Sequence, residues 1–269
     1  MGSATRQALA VAKTALAATE QAAGSADALR IGAQLFRAGE VIGLSGQLRQ
    51  LLTDPSSQKE QKKAVVEAVF GSQLDNAVVE LLVTVASQRW SATDDVLAGI
   101  EELGLRAIAD SATSTSQIEK ELFAFGDAVS SSAELELAVG SKLGDTESKV
   151  SLIERLLAGK ASEQTIAILQ HLVRQPRGRR IGQLLRSAAE IIADQADQSV
   201  ATITTAAPLS ARQLENLGKR LSASYGRALR VNQVIDARVL GGVRVQVGDD
   251  IIDGSISSRL NELKLQLVA

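Results

Sequence analysis

Through residue 197 the chain keeps returning apolar side chains at helical spacing, and from Gln198 it stops doing so. A 3.6-residue stripe buries as a helix and a two-residue alternation as a strand, so this change of period fixes the fold class of each part. In the first segment Ala8, Val11, Ala12, Ala15 and Leu16 recur at i, i+3, i+4, i+7 and i+8, one apolar stripe on a helix over about residues 4–20. Gly24 and Ser25 end it. A second helix is expected over about 26–42 and a short one over about 46–52, before Asp54-Pro55 breaks the chain. Ser57 and Glu60 have capping-box spacing for a helix that carries Val65, Val66, Val69 and Phe70 inward and stops at Gly71. Residues 75–88 form another helix, with Val78, Val79, Leu82, Val83 and Ala86 inward. Ser91 and Asp94 cap a sixth, which runs to about 110.

After the small polar stretch Ser111–Ser116 the pattern restarts, with Ser116 and Glu119 again at capping-box spacing. At an offset of 87 residues Lys62 falls on Lys149, Glu67 on Glu154, Phe70 on Leu157, Val79 on Ile166, Leu82 on Leu169 and Leu97 on Leu184. The second helical stretch therefore reads as a partial duplication of the first.

From Gln198 the texture is β-branched. Residues 199–205 alternate as a strand, Pro208 ends it, and Ser210 with Gln213 caps a helix to about 224. Strands follow at 229–235, 243–247 and 251–253. Gly241-Gly242 and Gly248-Asp249-Asp250 provide the turns, and a last helix carries Ile256, Leu260, Leu263 and Leu267 on one face. The expected fold is mainly α. It has an N-terminal six-helix bundle over 1–113, a second, duplicated helical unit over 114–197, and a small C-terminal α/β module over 198–269 in the order β-α-β-β-β-α.

Composition narrows function. Aromatics are 2% of the chain, so its cores must be aliphatic, and three prolines leave long helices unbroken. The absence of cysteine excludes disulfide and thiolate chemistry. A net charge of −2 argues against nucleic-acid binding. No apolar run approaches the about 20 residues of a membrane span. The expected protein is soluble and intracellular, held at a membrane only by partners.

Candidate chemistry is thin. His171, the only histidine, lies in a helical pattern among apolar neighbours and reads as a helix-surface or half-buried side chain rather than a catalytic one. Asp249, Asp250 and Asp253 are separated by isoleucines in a strand, unlike a cation loop, so they read as a turn and a helix-cap acid. Gly241, Gly242 and Gly248 precede strands rather than a helix N-terminus and serve backbone geometry, not phosphate. Arg174, Arg177, Arg179 and Arg180 form the strongest positive cluster, a solvated loop or a contact for an acidic partner helix. Lys59, Lys62 and Lys63 read as an exposed face. No catalytic, cofactor or metal constellation emerges, and the residues alone describe an interaction protein.

The stretch Val231–Asp249, with Gly241-Gly242 and the Val243, Val245, Val247 alternation, resembles the signature of ATP synthase delta subunits and the mitochondrial oligomycin-sensitivity-conferring protein. Ile252-Asp253-Gly254-Ser255 resembles the family's Ile-Asp-Gly-Ser opening of its last helix. Thr204–Ser210 is similar to its Thr-Ser-Ala-x-Pro-Leu-Ser segment, and Leu51–Pro55 to its Leu-Leu-x-Asn-Pro break. The resemblance covers about residues 4–110 and 198–269. Residues 114–197 are extra to the compact family and resemble an enlarged actinobacterial form. In some of those, delta is fused behind a membrane-anchored b-like segment; this chain resembles an unfused version.

The resemblance implies a non-catalytic stator subunit of a proton-translocating F-type ATP synthase, without cofactor or metal. It implies one copy per complex, peripheral on the cytoplasmic face of the plasma membrane, joining the catalytic head to the peripheral stalk. N-terminal helices of alpha subunits would enter a groove between the first and fifth helices, walled by Ala8, Val11, Ala12 and Ala15 and by Val79, Leu82, Val83 and Ala86. The b-type stalk would meet Arg259, Glu262 and Lys264 of the last helix. Gly241, Gly242, Gly248, Asp253 and Gly254 would shape the module. A helical adaptor unrelated to ATP synthase is the alternative.

Overall fold

The computed structural model describes residues 2–23, 27–140, 144–195, 199–225, 229–235, 241–247 and 250–253. Six helices occupy the first stretch: α1 Ser3–Ala23, α2 Ala28–Leu44, α3 Gly46–Thr53, α4 Lys59–Phe70, α5 Asn76–Ala86 and α6 Asp95–Asp110. Five more follow: α7 Thr115–Ser131, α8 Ala133–Gly140, α9 Thr146–Leu157, α10 Glu163–Arg174 and α11 Ile181–Gln195. The C-terminal part holds β1 Ser199–Thr205, α12 Ala211–Tyr225, β2 Leu229–Ile235, β3 Val243–Val247 and β4 Asp250–Asp253. The fold is mainly α with a small α/β part, as expected; the last helix of the sequence reading lies outside the described residues. The chain divides into two compact units, 1–192 and 193–269.

The helices start 87 residues apart in pairs: α2 and α7 at 28 and 115, α3 and α8 at 46 and 133, α4 and α9 at 59 and 146, α5 and α10 at 76 and 163. Buried positions repeat in the same register, Ile31 with Ile118, Leu35 with Leu122, Ile42 with Val129, Val66 with Ile153 and Leu82 with Leu169. The counterpart of α1, displaced by the same 87 residues, ends with α6 at Asp110. One helix thus closes the first bundle and opens the second.

Its burial reflects that double duty. Every residue from Gly99 to Ala109 is buried, where a helix on the rim of one bundle would bury a single stripe. Ile100, Leu103 and Ala107 pack in the first core with α1, α2 and α5. Leu105, Ile108 and Ala109 pack in the second with α7, α10 and α11, joined by Phe36 from α2. α2 and α6 approach closely at Gly32 and Gly104. A Cβ on Gly104 would lie 2.4 Å from the Phe36 ring, and one on Gly32 would lie 2.8 Å from the Gly104 carbonyl oxygen.

Several caps differ from the spacing rules. Gln58, not Ser57, is the N-cap of α4, and its N–H donates to the Gln61 side chain at 3.3 Å. Ser91 does not cap α6; its N–H donates to Thr5 Oγ1 at 3.0 Å and its Oγ accepts from Thr5 N at 3.2 Å, pinning the start of α1. Ser114 rather than Ser116 precedes α7, without a side-chain cap. At α12 the expected box forms: Ser210 N donates to Gln213 Oε1 at 2.9 Å, and Gln213 N to Ser210 Oγ at 3.4 Å. Lys62 is buried rather than exposed, and its Nζ donates to the Ala86 carbonyl at 2.9 Å.

In the second unit the strands are ordered β2-β1-β3-β4. β1 and β2 run parallel, joined by α12, whereas β3 pairs antiparallel with β1 and with β4. Ile203, Leu221 and Val245 form a small core with Leu214, Leu217, Val231 and Val243 around it. Gly241 and Gly242 have φ of 71° and 85°, a left-handed turn into β3 that favours glycine. Gly248 and Gly254 lie outside the described residues, while Asp253 ends β4.

Candidate docking surface

The two helices assigned to partner binding do lie side by side, with α1 packed against α5. Their facing side chains, however, are spent on each other. Ala8, Ala12, Val79, Leu82, Val83 and Ala86 are all buried in the first core. Of the eight proposed wall residues only Val11, 41% exposed, and half-buried Ala15 reach solvent. The stripe read as a groove lining is thus mostly bundle interior, because the i, i+3, i+4 rule finds the buried face of a helix whatever covers it. The outward face of α1 carries Ala10, Val11, Thr14, Ala17 and Gln21, with Lys13 beside it bonded to Glu102 at 2.8 Å.

The positive cluster is also engaged within the chain. The Arg177 guanidinium lies 2.6 Å from Glu101 Oε2, and Arg179 donates to both Glu101 oxygens at 2.9 and 2.8 Å. Arg174 binds Glu147 at 2.7 Å, which leaves Arg180 exposed. Arg177 and Arg179 therefore are not a free contact for an acidic partner. The loop that presents them turns through left-handed backbone at Arg177 (φ 46°) and Gly178 (φ 78°).

His171 of α10 completes this cluster. It is buried, not on the helix surface, and stacks flat on Phe36 with Nε2 3.3 Å from Glu101 Oε2. Burial pushes its pKa down despite the carboxylate, so the ring is neutral at neutral pH and donates from Nε2. Burial pushes Glu101 up, but bonds from His171 and Arg179 and the Arg177 charge outweigh it and hold the carboxyl at about 2. The sequence reading missed Glu101. A carboxylate on the apolar side of α6, with Leu97 one turn before and Leu105 one turn after, was the available signal for a buried acid needing a cation.

Among the described residues no group of acids or histidine could hold a metal ion, and no helix is long and apolar enough to cross a membrane. Arg259, Glu262 and Lys264, assigned to the b-type stalk, lie outside the described residues.

The profile of the ATP synthase delta (OSCP) subunit matches this chain twice, over residues 11–107 and 103–267. The chain belongs to that family. The second match opens inside α6, where the second bundle opens, and runs across residues 114–197, which therefore share the family's pattern. ATP synthase subunit delta of Leifsonia xyli subsp. xyli is 53% identical over 99% of both chains. The subunit of Kineococcus radiotolerans is 38% identical over 96% of both, and that of Streptomyces griseus 37% over 97% of both. All three relatives are actinobacterial. A chain of the Toxoplasma gondii mitochondrial ATP synthase hexamer is similar at 24% identity and a TM-score of 0.44, over 62% of this chain and 95% of that one. As a delta/OSCP subunit the chain is a peripheral-stalk component of ATP synthase, structural rather than catalytic.

Proposed function

We propose that this subunit joins the alpha/beta catalytic head to the b-type stalk, so that the head resists the torque of the turning central stalk during ATP synthesis. The observation that carries the reading is the end-to-end match to delta subunits, both helical bundles and the α/β module included. The packing suits a part that bears load. Two bundles that share a helix buried on every side from Gly99 to Ala109 resist shear, because sliding would open two cores at once. One N-terminal alpha helix lies across α1 and α5 and meets Val11, Ala15 and the small outward side chains of α1, where close approach is cheap. Arg259, Glu262 and Lys264 face the b-type stalk. The chain stands once per complex on the cytoplasmic face, and meets the membrane only through its partners.

Purification from native membranes in mild detergent, followed by mass spectrometry, tests the proposal. Alpha, beta and b subunits at a fixed ratio to one copy of this chain are expected. A different helical partner in their place would favour an unrelated adaptor. For the docking face, Val11→Arg is expected to weaken binding of a synthetic alpha N-terminal peptide. Unchanged affinity in the folded variant would move the contact elsewhere.

A further inference from the structure

The duplication implies two docking faces. By the 87-residue register the counterpart of α1 and α5 in the second bundle is α6 and α10. That face is covered. α2 lies against both helices, with Phe36 stacked on His171 and pressed onto Gly104, and Gly32 against Ile108. The corresponding positions of the first bundle are Thr84 for His171, Ala17 for Gly104 and Gln21 for Ile108. Ala17 and Gln21 are exposed and Thr84 half-exposed. The same face is thus closed in one copy and open in the other.

We propose that the second bundle cannot dock a partner helix because the chain's own α2 permanently fills its face, so that the subunit offers one such face and not two. The proposal rests on the reading that an alpha helix docks across α1 and α5, and adds which copy does so. α2 cannot swing aside to free the second face. Its opposite side supplies Ile31, Leu35 and Ile42 to the first core, so leaving would unfold the first bundle. Chemistry also separates the faces. The covered one carries an aromatic stack and the buried Glu101 with its two arginines, whereas the open one carries the small uncharged side chains of Ala17, Thr14 and Thr84, with Lys13 beside them already paired to Glu102.

Calorimetric titration of the full chain with a synthetic peptide of the alpha subunit's N-terminal helix, from the same organism, tests this. One peptide per chain is expected. Ala17→Arg, at an exposed helix position, is expected to abolish the binding heat while circular dichroism and melting stay those of the parent, with Thr14→Arg as a second variant. Two peptides per chain, or one that persists in both folded variants, would overturn the filled-face proposal and leave docking itself intact. No binding by the parent chain would overturn the docking reading and this proposal with it.

Discussion

Phe36 of α2 and His171 of α10 stack with ring centroids 3.8 Å apart and planes 7° from parallel, although 135 residues separate them. In a chain that is 2% aromatic this stack stands at the join of two helical bundles, with Gly104 beneath it to admit the phenyl ring. The imidazole is also tied to Glu101, which holds Arg177 and Arg179. One cluster therefore fastens α2, α6, α10 and the loop before α11.

Phe36→Ala is expected to cost about 3–5 kcal/mol, the usual loss for a buried phenylalanine that leaves a cavity. Hydrogen exchange should show the second bundle loosening more than α4 and α5, because Phe36 packs in the second core. Equal loosening of both would mean that the stack does not hold the join.

Gly104→Ala places a methyl 2.4 Å from the Phe36 ring and should cost about 1–3 kcal/mol through overpacking. In a Phe36→Ala background the clash partner is gone, so most of that cost should vanish. Additive losses in urea titrations of the two single variants and the double variant would place the strain elsewhere.

Glu101 has a folded pKa of about 2 against an ordinary 4.5, so the unfolded chain binds the proton more tightly. Its contribution is complete above pH 4.5 and is lost as pH falls from there through 2, on the order of 3 kcal/mol in all. Glu101→Gln should flatten this part of the acid limb. At neutral pH it should cost about 3–5 kcal/mol, since two arginines lose a buried partner. An acid limb unchanged from the parent would show that other carboxylates govern it.

Glu20 shifts the opposite way. Burial, the nearby Asp110 charge and a hydrogen bond to Asp110 raise it to about 8. The folded chain then holds the proton more tightly, so stability present below pH 4.5 declines as pH rises towards 8. Glu20→Gln cannot ionise, and should keep at pH 9 the melting temperature it has at pH 6, while the parent loses several degrees over that range. Parallel losses in both proteins would exclude Glu20 as the source.

Much of this was legible in residues alone. The stripes of α1, α4 and α5, the alternation of β1 and β3, and the Gly241-Gly242 turn follow from spacing and backbone sterics, which are local. Cap positions were legible only to within a residue or two. Ser57 yields to Gln58, whose N–H meets the Gln61 side chain, and Ser91 is drawn away to Thr5, because its hydroxyl takes the nearest donor in space rather than in sequence. Lys62 read as exposed because its spacing says nothing of the Ala86 carbonyl that receives it.

The sequence by itself determined the helical period to residue 197, the change to strands at 198, the 87-residue repeat and the family pattern. Each can be read from the order of side chains along the chain, without knowing which residues meet in space. Only the tertiary structure decided that α6 belongs to both bundles, that Ala12 and Leu82 are both interior to the first core, that Glu101 takes Arg177 and Arg179, and that α2 covers the second face. Amphipathic spacing states which side of a helix is buried. What buries it depends on contacts between residues far apart in the chain, and those are settled only when the whole unit packs.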